Sequence, residues 1–192
     1  MRSYLQSTTL ALLLAPVAVF AADAPLRQGW AHEDKLVELG PSQRGQTAQT
    51  IDRLMIQEAF SRWGIAFDEG RENVIVSLFQ KDGTLEFMKG SGTAMSAIHG
   101  AKEIGAFAVK AQKGQGDQRR HLISNVVVES LDGDKALAWA YSVVTATNGG
   151  DITIASSVIY RAELQKEPDG IWRFSRFVIG MDAYDGGAAS KK

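Results

Sequence analysis

The chain has 192 residues, 45% hydrophobic and 22% charged, with a formal net charge of -1, which fits a globular domain and excludes a disordered or fibrous chain. Near-neutral charge without like-charge blocks removes the electrostatic basis for binding nucleic acid or an acidic membrane surface. With no cysteine, disulfides, thiol nucleophiles and iron–sulfur clusters are excluded, and one hydrophobic core must supply the stability.

The chain opens with Arg2 and an apolar run from Leu10 to Phe20, followed by a candidate cleavage point after Ala21. That pattern predicts a signal peptide over 1–21 and a periplasmic or secreted mature protein. The run is shorter than the ~20 residues a spanning helix needs, so no stable membrane insertion is expected after cleavage. Residues 22–47, broken by Pro25, Gly29, Gly40, Pro41 and Gly45, read as a linker or N-terminal arm, with His32 solvated within it. A single domain is expected over 48–185, with a loose C-terminal tail over 186–192.

Within the domain, Ile56, Phe60, Trp63 and Phe67 recur at i, i+4, i+7 and i+11, one stripe of an amphipathic helix. Thr50 is a candidate cap at its start, and Gly70 suits the left-handed position beyond its end. A short helix is expected over Glu72–Phe79, then a strand over Thr84–Met88 after the Asp82-Gly83 turn. A Gly/Ser-rich segment through Gly90 and Gly92 follows, with His99 entering a helix over Ala101–Lys113. Four β-rich runs complete the domain: Arg119–Leu131, Ala136–Thr147, Ile152–Leu164 and Ile171–Gly180. They are separated by Asp132-Gly133, Asn148-Gly149-Gly150 and Asp169-Gly170, which are hairpin signals. Helices followed by an antiparallel meander define an α+β architecture, in which the helices cover one face of the sheet.

No P-loop, dinucleotide fingerprint or Gly-x-Ser-x-Gly elbow occurs. The three histidines, His32, His99 and His121, have no metal-ligand spacing, so no metal is expected. Two residues carry candidate chemistry. Asp68 borders the apolar stripe at the C-terminal end of the long helix, where the dipole disfavours a carboxylate by up to ~1 kcal/mol; it is either a general acid or base or a solvated turn residue. His121 shares a strand face with Ile123 and Asn125, opposite Ala140, Ser142, Val144 and Ala146, if Leu131 pairs near Ala136. Those small side chains mean tight helix packing or a cavity, and His121 is either structural or catalytic. Trp63, Phe67, Phe87, Trp139, Trp172 and Phe174 read as core or cavity wall.

Five segments together carry a family resemblance: Trp63-x-x-x-Phe67-Asp68-x-Gly70, Leu78-Phe79-x-x-Asp82-Gly83, the helix from Gly100 to Phe107, Arg120-His121-x-x-x-Asn125, and Asp169-Gly170-x-Trp172-Arg173. Over roughly residues 48–182 the chain resembles the SnoaL-like branch of the NTF2-like superfamily. The resemblance implies a curved antiparallel sheet wrapped by helices into a cone with one deep apolar pocket. It also implies an aspartate, here Asp68, orienting a histidine, here His121, that removes a proton beside a carbonyl or helps expel water. Where scytalone dehydratase has tyrosines and a second histidine, this chain has Phe67, Phe87 and Ala146, so Asn125 or Tyr141 is the expected source of polarity. The pocket is thus expected to be lined by Trp63, Phe67, Phe87, Asn125, Tyr141 and Ala146. Two functions follow: a cofactor-independent lyase or isomerase acting on a hydrophobic carbonyl compound, or a non-catalytic module that binds a small molecule or dimerises. A homodimer through the outer sheet face is expected in either case.

Overall fold

In the computed structural model, which describes residues 47–89 and 92–182, the apolar stripe forms the inner side of helix α1 (Thr47–Asp68). Ile56, Phe60 and Trp63 are at most 1% exposed, and Phe67 is half-buried. The helix starts before Thr50, which therefore lies inside its first turn and does not cap it. Its end follows the sequence signal. Gly70 is left-handed (φ +63°), Arg71 N–H donates to Ala66 O at 2.8 Å, and Gly70 N–H donates to Phe67 O at 3.1 Å. This Schellman closure satisfies carbonyls that the helix end would otherwise leave open.

Helices α2 (Glu72–Leu78) and α3 (Ala101–Lys113) pack on each other, and both contact α1. The strands are β1 (Phe79–Lys89), β2 (Ala94–His99), β3 (Gln118–Asp132), β4 (Lys135–Asn148), β5 (Asp151–Lys166) and β6 (Trp172–Met181). The last four coincide with the four β-rich runs of the sequence. Asp132 pairs with Lys135 and Asn148 with Asp151, so the first two hairpins close with two-residue loops, and Leu131 indeed pairs with Ala136.

Two features depart from expectation. The segment read as Gly/Ser-rich contains β2, antiparallel to β1 with Thr84 opposite His99. It shows no apolar alternation because it is an edge strand exposed along most of its length, held by backbone pairing and not by side-chain burial. Consequently His99 ends a strand and is exposed. The sheet is also mixed: its order is β2-β1-β6-β5-β4-β3, and β1 runs parallel to β6. That junction is bridged by Arg176, which donates to Glu86 through Nε (2.7 Å) and Nη2 (2.8 Å). These bonds hold the Glu86 carboxyl below its usual range.

The helices cover one face of this curved sheet. The core between them is aromatic: Phe174 and Phe177 stack at 4.6 Å, and Phe60 meets both edge-on. Near the start of α1, Asp52 accepts from Trp172 Nε1–H at 2.9 Å and sits 3.0 Å from Lys166 Nζ, tying the helix to β5 and β6. The segment read from the sequence as a signal peptide (1–21), all but the last residue of the segment read as an arm (22–47), His32 with it, and the segment read as a tail (186–192) lie outside the described residues.

Candidate functional site

The Schellman turn places Asp68 at the last helical position of α1, facing β3. Gly64, one turn earlier, lets the two elements approach. A Cβ there would lie 3.0 Å from Ile123 Cδ1 and 3.1 Å from His121 Cβ, closer than side chains normally pack. Among the described residues β3 is an edge strand, and backbone groups along its free side have no strand partner there. His121 N–H is one of these, and it donates to Asp68 Oδ2 at 2.8 Å. The other carboxylate oxygen accepts from His121 Nδ1–H at 2.6 Å.

One carboxylate therefore grips the same residue at two points, backbone and ring. The side chains are 5% exposed for Asp68 and 11% for His121. Holding the proton on Nδ1 leaves Nε2 as the free acceptor, and it has no hydrogen-bond partner among the described residues. Phe67 meets the imidazole edge-on with ring centroids 5.1 Å apart, restricting its rotation.

His121 forms part of the wall of a cavity of about 200 Å³. Trp63, Phe67 and Phe87 line it as the sequence indicated. So does Val144, which pairs with His121 on the face of small residues anticipated opposite it. The other predicted lining residues lie elsewhere. The β3–β4 register shifts between Ser124 and Val127. At this bulge Asn125 takes φ 54° and turns to solvent. Tyr141 faces the opposite side of the sheet, its ring 5.7 Å from Trp139, because its neighbours Ala140 and Ser142 occupy the inward positions. Ala146 is buried on the inward face opposite Arg119 but is not part of the cavity wall.

The polarity that Asn125 and Tyr141 do not supply comes from residues the sequence did not single out: Tyr160, Ser156, Gln115 and Arg119. Tyr160 lies on β5 opposite Ala140. Burial pushes its phenol up to about 12, against the neighbouring Ser142 hydroxyl and Trp63 indole N–H, which pull the other way. Neither Ser142 Oγ nor Trp63 Nε1 completes a well-formed hydrogen bond with a protein group. The only sequence cue for Tyr160 was its place at an inward position of a β-rich run, where Tyr reads as core.

Chemically, the site offers a buried imidazole with a fixed tautomer, a neutral phenol and apolar walls. No group of three His, Cys, Asp or Glu that could hold a metal ion occurs among the described residues.

Solved structures share this architecture. A protein of unknown function from Mycobacterium tuberculosis superposes with a TM-score of 0.64 at 24% identity, covering 76% of this chain and 80% of its own. An NTF2-like protein with a cystatin-like fold from Novosphingobium aromaticivorans gives 0.60 at 24% identity, covering 78% and 96%. Aln2 from a Streptomyces species gives 0.56 at 23% identity, covering 67% and 89%. At these identities the likeness shows the fold alone, an α+β NTF2-like cone. No curated protein matches the chain. Residues 48–178 match the SnoaL-like domain, and since that span takes in most of the chain, the protein belongs to the SnoaL-like domain family.

Proposed function

We propose that this protein is a lyase or isomerase of the dehydratase type, acting on a hydrophobic, carbonyl-bearing small molecule held in the cavity. The observation that carries this reading is the two-point grip of Asp68 on His121 at the cavity wall. In the proposed reaction His121 Nε2 takes a proton from the carbon beside the carbonyl. The C–H electron pair moves into an enolate, and Asp68 stabilises the imidazolium. The Tyr160 phenol donates to the carbonyl oxygen as its charge develops, a role suited to a neutral donor in a dry site. In a dehydration the bond to a β-hydroxyl then breaks, and the imidazolium returns its proton so that water leaves. In an isomerisation the proton returns to a different carbon. Proton transfer alone completes either route, so no cofactor is required.

The positively started apolar segment over 1–21 supports export to the periplasm or beyond. Leu122, Tyr141, Ile152 and Ile154, exposed on the outer sheet face, support a homodimer. That face also favours a second reading, a non-catalytic binding or dimerisation module, because assembly needs no chemistry at His121.

Turnover of a panel of β-hydroxy ketones by wild type and His121→Ala separates the two. Catalysis predicts a fall of about 10²–10⁴-fold in the variant. Equal rates would remove His121 from the mechanism. A bound hydrophobe seen by native mass spectrometry without any turnover would establish the binding module instead.

A further inference from the structure

The cavity of about 200 Å³ falls below the ~300–1,000 Å³ typical of pockets that enclose a whole small-molecule ligand. A ligand of ordinary size must extend beyond it, and the structure shows where. An open groove of about 500 Å³ lies alongside, and Phe107, Gln115 and Arg119 border both spaces. Phe107 and Lys110 come from one face of α3, at i and i+3.

Arg119 precedes His121 by two residues on β3, so the two side chains leave the same strand face about 7 Å apart. Asp117 steers the guanidinium, accepting from Nε at 2.8 Å and from Nη2 at 3.4 Å. Among the described residues, N–H groups on Nη1 and Nη2 remain unspent, and the Arg119 side chain is 34% exposed. Lys110 and Arg119 against Asp117 leave a net positive charge at the groove. The C-terminal end of α3 opposes a bound anion by a few tenths of a kcal/mol, less than a charge-assisted bond from a guanidinium returns.

We infer that the ligand is amphipathic: its carbonyl-bearing apolar head enters the cavity toward His121, and a carboxylate at its other end is held in the groove by Arg119 and Lys110. The position of the head rests on the proposed function. The anion site rests on the groove's own residues.

The test is calorimetric titration with 4-oxo-4-(2-naphthyl)butanoate and its primary amide, which share the aryl ketone but not the charge. Neither has a β-hydroxyl, so binding is read without turnover. At low salt the carboxylate is expected to bind wild type about tenfold tighter than the amide or better, and salt should erode the preference because the groove is open. Arg119→Gln with Lys110→Gln should abolish the preference, weakening the carboxylate far more than the amide. Equal affinities in wild type, equal weakening of both ligands by the substitutions, or no binding of either at millimolar concentration would overturn the inference. A carboxylate preference without turnover of any β-hydroxy ketone would sink the catalytic proposal alone, and turnover without the preference would sink this one alone.

Discussion

Burial decides the charge of Tyr160. Tyr160 is kept neutral by it: the phenol is pushed up to about 12, against about 10 in an unfolded chain. A group whose folded pKa is raised adds stability below the unfolded value and loses it as pH climbs toward the folded one. Between about pH 10 and 12 the native state should therefore lose up to about 3 kcal/mol through this residue. Tyr160→Phe should lack that component. Denaturant titrations at pH 9 and 11 check it, and identical losses in both proteins would show that folding does not raise the Tyr160 pKa. Asp68 instead remains useful through its two acceptors. Asn at that position can accept from His121 N–H through its oxygen, but its NH₂ then faces Nδ1 and moves the ring proton to Nε2. Asp68→Asn should therefore cost turnover about 10²–10⁴-fold and stability only about 1–2 kcal/mol. A rate loss no larger than the loss of folded protein would contradict the tautomer argument.

At the scale of elements, the distance between α1 and β3 decides whether the pair forms, and Gly64 sets that distance. A methyl group there must displace Ile123 or His121 by a few tenths of an ångström. Overpacking costs about 1–3 kcal/mol, and the better helix propensity of alanine returns up to about 1 kcal/mol. Gly64→Ala should thus change stability modestly. Turnover depends on placement, where a shift of about 1 Å costs on the order of 10²-fold. The expected result is a rate that falls by more than stability explains, measured by denaturation and turnover on the same preparation; unchanged turnover would mean that β3 yields without disturbing His121. The same logic explains the hairpins. The two-residue loop between β3 and β4 sets the pairing of Asp132 with Lys135, and two register shifts, between Val128 and Ser130 and between Ser124 and Val127, then bring Val144 and Ser142 opposite His121 and Ile123, so turn and bulges together position the sheet half of the site.

For the whole molecule, the two faces of the sheet have different work. The inner face meets the helices and encloses the cavity. The outer face leaves Ile152 and Ile154 71% and 73% exposed, beside Leu122 and Tyr141. Apolar area of this kind is commonly covered by a partner, and a second copy meets that need with the same surface on both sides. Sedimentation should find a dimer for the wild type, with Ile152→Lys and Ile154→Lys together giving a monomer that keeps its fold by circular dichroism. A wild-type monomer at tens of micromolar would remove the homodimer.

Period and punctuation, which act over a few residues, were fixed locally: the stripe from Ile56 to Phe67, the stop at Gly70, helix α3 and the four-strand meander could all be read from the sequence. The pairing of Asp68 with His121 was legible only through family motifs, since the two residues are 53 positions apart and no local pattern links them. Strand β2 was not legible, because an exposed edge strand draws its stability from backbone bonds that leave no apolar alternation. The direction of β1 against β6, the bulge that turns Asn125 outward and the inward place of Tyr160 were also settled by tertiary structure. Each depends on which distant strand lies alongside, and a one-residue change of register reverses the face every side chain occupies.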